Sequence, residues 1–395
     1  SHSVNIPVGN NGSISLHITH PSDTLERTRN HILVYLPPGP IISLNPGGVI
    51  PTYSNHNAPQ RYEIIPQILA RITFSTVVTI NYRLGTLPAN PDSPTDLAVH
   101  KHKYPTPVHD TLAGFDWIQD TLSPERVAVV GMSIGGSLAL MLSLTEAKSI
   151  HAVAALEPVC DWTSLDEHCI QSPPTAEETA SLMSHSKKGS KKRKFAQWDL
   201  LPLLQARKAL FSTPERYFDA FASPILFLRS PGKDVPRSFP EYRMGPQYPI
   251  PVLKAGGVPE GEECIDYWDV YSQEDLESMH ESNTTGIQTK PDPPRRRKAL
   301  SRWPPFGLDY GISGPTWHHP GQGIKRLEMQ LPWVKLFTRI EDYGIPPWTM
   351  RGTGRHKGLK DASVLAQQGH EMVNVMRRAC FWGREKGYAG TRVTL

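Results

Sequence analysis

The chain has 395 residues, of which 38% are hydrophobic and 20% charged, with a formal net charge of +4. This composition is typical of a globular enzyme with a large core, and the charge is too weak to predict nucleic-acid binding. No apolar run reaches the roughly 18 residues that a membrane span requires. The start lacks the basic-then-apolar order of a signal peptide. Four cysteines without a CxxC pair favour reduced thiols, so we expect a cytoplasmic protein.

Strand and helix patterns alternate through the first half of the chain. Short β-branched or alternating runs predict strands, and longer runs with apolar residues on one face predict helices. The predicted strands are Ser13–Ile18, His31–Leu36, Ser75–Tyr82, Arg126–Val130 and His151–Leu156, and the predicted helices are Gln60–Ile72, Thr106–Asp120 and Ser133–Leu144. Strands that alternate with helices at this spacing predict a mostly parallel central sheet with helices on both faces.

In the second half of the chain, two predicted insertions interrupt the alternation of strands and helices. Pro224–Leu228 and Leu331–Phe337 predict two more strands, and Ala362–Arg384 predicts a long closing helix. We expect five parts: core 1–160, a cap insertion 161–221, a core strand with an acid-bearing loop 222–236, a long irregular insertion 237–330, and core 331–395.

One serine stands at the junction of a predicted strand and a predicted helix. The segment VAVVGMSIGGSLALML (Val127–Leu142) places Ser133 between Gly131 and Gly135. A nucleophile elbow needs this arrangement, because a strained turn must expose the serine while glycines on either side prevent collisions. The helix N-terminus adds a positive partial charge there. The alternative is a glycine-rich turn with a buried structural serine.

The order of several segments resembles one family. HILVYL, VVTINYRL, YPTPVHDTLAGFDWI and RVAVVGMSIGGSLAL, between His31 and Leu156, resemble the hormone-sensitive-lipase-like branch of the α/β-hydrolases. NYRL (Asn81–Leu84) is similar to that family's D-Y-R-L, and YPTPVHD (Tyr104–Asp110) to its F-P-A-P helix entry. The pattern is most similar to filamentous-fungal members. The resemblance implies an α/β-hydrolase fold and a Ser-His-Asp triad.

A nucleophilic serine requires a histidine base and a carboxylate that orients the base. In this fold they follow in the order serine, acid, histidine. Asp234 is the only carboxylate in the loop RSPGKDVP after the predicted strand at 224–228, and His356 is the only histidine between the last predicted strand and helix. Asp161 is the substitute acid, although capping a cap helix is its expected role. The other histidines considered are His370, expected on a helix face, and His318 and His319, in the insertion.

The predicted oxyanion site departs from the family. In place of His-Gly-Gly-Gly this chain has Pro37-Pro38-Gly39-Pro40, and proline has no N–H. Gly39 and Ile134 are therefore the expected backbone donors, with Asn45–Gly48 as the alternative source. Losing one oxyanion donor costs on the order of 100- to 1000-fold in turnover.

Three functions remain open. The leading one is a serine hydrolase that cleaves a carboxylic ester, thioester or lactone of a small, mostly apolar molecule. The second is a tailoring enzyme that cyclises or condenses a metabolite in the same pocket. The third is a catalytically impaired member that binds a small ligand or a partner. No cofactor is expected, because metal-ligand spacing and the Gly-x-Gly-x-x-Gly order are missing. The oligomeric state is left open.

Overall fold

A computed structural model describes residues 1–21, 30–39, 61–86, 101–171, 197–245, 247–254, 308–309, 325–326, 331–339, 363–381 and 385–395. The strands are β1 His2–Pro7, β2 Ser13–Thr19, β3 His31–Leu36, β4 Thr76–Asn81, β5 Gly85–Thr86, β6 Lys101–His102, β7 Arg126–Met132, β8 Ala152–Leu156, β9 Ile170–Gln171, β10 Tyr242–Gly245, β11 Tyr248–Leu253, β12 Leu308–Asp309, β13 Lys325–Arg326, β14 Trp333–Phe337 and β15 Val393–Thr394. The α-helices are α1 Arg61–Thr73, α2 Thr106–Trp117, α3 Ile134–Thr145, α4 Leu200–Leu210, α5 Val364–Cys380 and α6 Tyr388–Arg392. A π-helical turn, Ile118–Leu122, follows α2.

Eight strands form the central sheet, in the order β1-β2-β4-β3-β7-β8-β14-β15. The first two pairings are antiparallel, and every pairing from β4 to β15 is parallel. The predicted, mostly parallel sheet is confirmed. The carboxyl ends of β7, β8 and β14 therefore lie side by side at one edge, with Met132 opposite Leu156 and Leu156 opposite Phe337.

Helices cover both faces of the sheet, as predicted. On β3, Ile32, Val34 and Leu36 face the larger core, while Leu33 and Tyr35 face the opposite side. Alternation along a strand explains this division, since successive side chains point to opposite faces. Helices α2, α3 and α5 contribute side chains to the larger core, and α1 packs on the other face through Ala70.

One predicted core strand is wrong. Pro224–Phe227 forms a 3₁₀ helix outside the sheet, and β14 takes the place beside β8. Ile225, Leu226 and Leu228 are buried, and the turn packs against α3. A short apolar run looks the same in a buried strand and in a buried helical turn, so the pattern misidentified this segment.

The two predicted insertions share a small sheet. β11 pairs with β10 in antiparallel fashion and with β9 in parallel, so residues from 161–221 and 237–330 come together. A 3₁₀ helix, Thr163–His168, and α4 belong to the first of them. Arg207 of α4 is buried and donates to the carbonyl of Trp162 and to Asp166. The five-part division of the chain itself stays a prediction.

Candidate active site

Ser133 occupies a strained turn between β7 and α3. Its backbone angles are φ 53° and ψ −115°, and positive φ is uncommon for a residue with a Cβ. The flanking glycines are required by close backbone approach. A Cβ on Gly131 would lie 2.1 Å from the carbonyl oxygen of Gly135, and a Cβ on Gly135 would lie 2.3 Å from that of Leu36. The strand–turn–helix setting predicted for Ser133 is present.

The Ser133 hydroxyl is buried and lacks a hydrogen-bond partner among the described residues. Its backbone is held firmly: the N–H donates to Leu156 O at 2.8 Å, and the carbonyl accepts from Ser137 N at 3.1 Å. The hydroxyl stands at the N-terminus of α3, whose first residue is Ile134. A fixed backbone with an unsatisfied buried hydroxyl is a costly arrangement, and such strain is concentrated at functional sites.

The loop that follows β3 packs directly on this elbow. A Cβ on Gly135 would lie 2.4 Å from the Pro37 carbonyl oxygen, and the Tyr82 hydroxyl donates to the same oxygen. Gly39 has φ 75°, and a Cβ there would lie 2.8 Å from Leu84 Cδ2. The loop that carries Gly39 is therefore fixed beside the N-terminus of α3. The alternative donors at 45–48 lie outside the described residues.

Of the predicted acid and base, Asp234 lies within the described residues and His356 does not. Asp234 is exposed, and the strand expected to carry it is the 3₁₀ helix described above. Its neighbour Lys233 donates to Thr163 O at 2.8 Å. His356, His318 and His319 lie outside the described residues. The triad roles of Asp234 and His356 therefore stay predictions.

Two further side chains have the roles expected of them. Asp161 is buried and accepts from Thr163 N at 2.9 Å and from Ser164 N at 3.2 Å, so its carboxylate holds the first N–H groups of the 3₁₀ helix Thr163–His168. Arg229 bridges Asp161, at 3.2 Å, and Glu371. His370 lies within α5, on a helix as expected, and partial burial lowers its pKa.

Sheet order and family comparison together decide the fold. The model of a family described as alpha/beta hydrolase fold matches residues 55–206, a range that contains β4, β7, β8 and the elbow. The chain has the α/β-hydrolase fold.

Solved structures with the α/β-hydrolase fold include proteins similar to this chain. The hyperthermophilic esterase from the archaeon Pyrobaculum calidifontis is 22% identical, with a TM-score of 0.35 over 57% of this chain. EstE1, a thermostable carboxylesterase from a metagenomic library, is 24% identical, with a TM-score of 0.36 over 57%. Brefeldin A esterase, a bacterial homologue of human hormone-sensitive lipase, is 19% identical, with a TM-score of 0.36 over 60%. This chain covers 61%, 63% and 57% of them, less than two thirds of each. No curated protein matches it in a sequence comparison.

Glu157 lies at the same sheet edge as Ser133 and was not singled out from the sequence. It is the first residue after β8, has φ 46°, and donates its N–H to Phe337 O at 2.7 Å. Arg339 Nε lies 3.2 Å from Glu157 Oε1. Burial raises the pKa of Glu157, while Arg339 opposes that rise. The available signal was positional, since the carboxyl ends of parallel strands carry ligand sites in α/β folds.

Asp199 connects the segment before α4 to the start of α5. Its buried carboxylate accepts from the N–H groups of Val364 and Leu365, at 3.0 Å each, and so caps α5. Burial raises the pKa of Asp199 even though these backbone donors favour the ionised form. Next to it, the Trp198 ring lies 5.4 Å from the guanidinium of Arg339. The segment before α4 thus lies beside Arg339, whose partner Glu157 follows β8 at the same sheet edge as Ser133.

A small apolar cavity of about 20 Å³ lies beside the elbow, roughly the space of one water molecule. Its walls come from α3 and from aromatic residues, namely Ile134, Leu138, Tyr104, Trp162, Phe211 and Phe221. Ile134, which directly follows Ser133, contributes to this lining, whereas Ser133 itself does not.

Neither a metal cluster nor a membrane-spanning helix occurs in the described part of the chain. Groups of three or more His, Cys, Asp or Glu side chains able to hold a metal are missing from these residues. Their helices are also too short or too polar to cross a bilayer.

Proposed function

We propose that this chain is a serine hydrolase that cleaves a carboxylic ester, thioester or lactone of a small, mostly apolar molecule. One observation carries the proposal: Ser133 holds a strained φ of 53° while its buried hydroxyl has no partner among the described residues. For a serine with only a structural role, both the strained backbone and the unsatisfied hydroxyl would lower stability without any benefit. The match of 55–206 to an alpha/beta hydrolase family supports the same chemistry.

The reaction begins with attack by Ser133 Oγ on the acyl carbon. The hydroxyl proton passes to a histidine, which the sequence predicts to be His356 and which a carboxylate, predicted to be Asp234, orients. The histidine then protonates the leaving alkoxide or thiolate, and an acyl-enzyme remains on Ser133. Water attacks the acyl-enzyme by the same route and releases the acid.

The negative charge of the tetrahedral intermediate needs backbone donors. Ile134 N–H, at the start of α3, supplies one, and the helix N-terminus adds a favourable potential. Gly39 supplies the other from a loop that Tyr82 fixes through the Pro37 carbonyl. Since Pro37 and Pro38 cannot donate, we expect turnover on the order of 100-fold below that of a hydrolase with a complete oxyanion hole.

Apolar side chains packed against the start of α3 support the proposed substrate class. The small cavity there is lined by aliphatic and aromatic side chains, including Leu138, Trp162 and Phe211. Such a surface favours an apolar acyl group over a charged one. Short aliphatic esters are therefore the first substrates to assay.

Labelling of the full chain with a fluorophosphonate tests the function. The expected result is stoichiometric labelling of Ser133, lost in Ser133→Ala and after heat denaturation. In parallel, p-nitrophenyl butyrate should be hydrolysed more slowly by Ser133→Ala than by the wild type. A folded wild-type protein that resists the probe and leaves the ester intact contradicts the proposal.

We propose that the enzyme is cytosolic, because two of its described cysteines are buried and do not form disulfides. Cys160 and Cys169 are these buried, free cysteines, and burial raises the pKa of the Cys169 thiol to about 11. Reduced, unreactive thiols are typical of reducing compartments.

A further inference from the structure

Strained backbone at the carboxyl edge of the sheet is shared by two residues. Among the described residues, non-glycine positive φ occurs at Phe74, Ser123, Ser133 and Glu157. Phe74 and Ser123 terminate helical segments, where left-handed residues are common. Ser133 and Glu157 instead follow the neighbouring parallel strands β7 and β8. Such strain persists only where the surrounding structure enforces it, and it clusters at functional sites.

The two strained residues are joined through one hydrogen bond. Ser133 N–H donates to the carbonyl of Leu156, at 2.8 Å, and Leu156 immediately precedes Glu157. On its other side, Glu157 N–H donates to Phe337 O at 2.7 Å. Glu157 is therefore fixed between the ends of β7 and β14, one strand away from the nucleophile.

The charges around Glu157 are defined by its packing neighbours. Arg339, just beyond β14, approaches both carboxylate oxygens, with Nε at 3.2 Å and Nη2 at 3.5 Å. Asp199, which precedes α4, is the like charge nearby and disfavours ionisation of Glu157. Burial raises the pKa of Glu157, Asp199 adds to that rise, and Arg339 is the cation that opposes it at the sheet edge from which Ser133 follows β7.

Asp234 lacks this placement. Its side chain is exposed, and it follows a 3₁₀ helix that does not belong to the central sheet. We infer that Glu157, not Asp234, is the carboxylate that orients and charges the histidine base of this hydrolase. This inference rests on the proposed function. Glu157 acts through the imidazole and is a positioning residue: it accepts the second ring N–H and stays ionised while the imidazole takes the Ser133 proton.

The test is the rate of fluorophosphonate labelling of the full chain as a function of pH. Glu157→Gln should slow labelling on the order of 1000-fold or more, as loss of a triad carboxylate does. The midpoint of the acid limb should fall by about one pH unit, because a carboxylate neighbour raises the pKa of imidazole. Glu157→Asp keeps the charge and should recover part of the rate with the wild-type midpoint.

Glu146→Gln is the matched control. Glu146 ends α3 at the opposite edge of the sheet, and burial raises the pKa of its carboxyl too. We expect wild-type labelling and a wild-type acid limb from this variant, since Glu146 is remote from the elbow.

A second variant is available if Glu157→Gln does not fold. Arg339→Gln leaves the Glu157 backbone intact and removes the neighbouring cation. It should move the acid limb of labelling to higher pH, because both the carboxylate and the imidazole beside it then protonate more easily. An unchanged acid limb in Arg339→Gln overturns the inference.

Two other outcomes also decide against Glu157. Labelling of folded Glu157→Gln at the wild-type rate, or a large loss in Asp234→Asn instead, overturns the assignment while the serine hydrolase stands. A wild-type protein that is not labelled at all overturns the proposed function, and the Glu157 assignment with it.

Discussion

Arg83 donates three hydrogen bonds to the completely buried carboxylate of Asp110. They run from its backbone N–H at 2.8 Å, from Nε at 3.0 Å and from Nη2 at 2.6 Å. The pair ties the segment after β4 to α2. That same segment contains Tyr82, which donates to Pro37 O, and Leu84, which packs on Gly39. Arg83 and Asp110 therefore support the loop that carries Pro37 and Gly39.

Asp110→Ala should destabilise the fold by about 3 kcal/mol, because removing one partner leaves a charge without its compensating group. Urea unfolding measures the loss. Glu241→Gln is the control, since Glu241 forms an exposed pair with Lys254 and exposed pairs contribute little. Equal unfolding midpoints for Asp110→Ala and the wild type contradict the structural role.

Gly135→Ala should destabilise by about 2 kcal/mol or more, because its Cβ would lie 2.3 Å from a backbone carbonyl that cannot rotate away. Gly390→Ala is the matched change, since a Cβ there meets nothing within 4 Å. Placed in α6, the added methyl should be neutral or slightly stabilising. Thermal melting compares the two variants, and similar melting temperatures contradict the close approach at the elbow.

Ser133→Ala and Ser137→Ala should change stability in opposite directions. The Ser133 hydroxyl is buried without a described partner, so removing it should stabilise the fold by about 1 kcal/mol. The Ser137 hydroxyl donates to Val159 O at 2.8 Å and accepts from Val159 N at 3.0 Å, so its loss should cost about 1–2 kcal/mol. Calorimetry gives both values. A Ser133→Ala variant less stable than the wild type argues against a buried hydroxyl without a partner.

Asp199 should make stability depend on pH. Its folded pKa is raised, chiefly by burial, so the folded state binds this proton more tightly than the unfolded chain. The resulting stabilisation is complete below about pH 4 and is lost as pH rises through the raised pKa. Relative to Asp199→Asn, the wild type should therefore gain stability between pH 7 and about pH 4.

Ser363→Ala provides the pH-independent comparison for Asp199. Ser363 caps the same helix, accepting from Ala366 N at 3.2 Å, but it does not titrate. Ser363→Ala should lower the free energy of unfolding by about 1 kcal/mol. This decrease should be the same at every pH in that interval. A difference between wild type and Asp199→Asn that stays flat with pH contradicts the raised pKa.

The sequence predicted the elements whose patterns are local. Residues 126–145 contain the strand, the turn and the helix in one continuous stretch, and the glycines mark where backbones must touch. Pro224–Phe227 was misread because burial makes a helical turn as apolar as a strand. β1 and β15 went unpredicted, since edge pairing depends on distant partners.

The site was only partly predictable for a related reason. Ser133 is recognised from neighbours one or two positions away. The position of Glu157 is set by backbone hydrogen bonds at the ends of β7 and β14. These strands come next to β8 only in the folded sheet. The Asp199 carboxylate likewise accepts from the N–H of Val364, which lies far away in the sequence. The residues around Asp199 contain no pattern that predicts this contact.

The pairing of β8 with β14 has a consequence for how this chain can diversify. β8 ends at Leu156, and β14, Trp333–Phe337, pairs directly with it. The long segment between them therefore begins and ends at two neighbouring strands. Insertions or deletions between those two points can remodel what surrounds a substrate without displacing either strand. Evolution can thus change the length and composition of the segment between β8 and β14 while the turn at Ser133 keeps its shape.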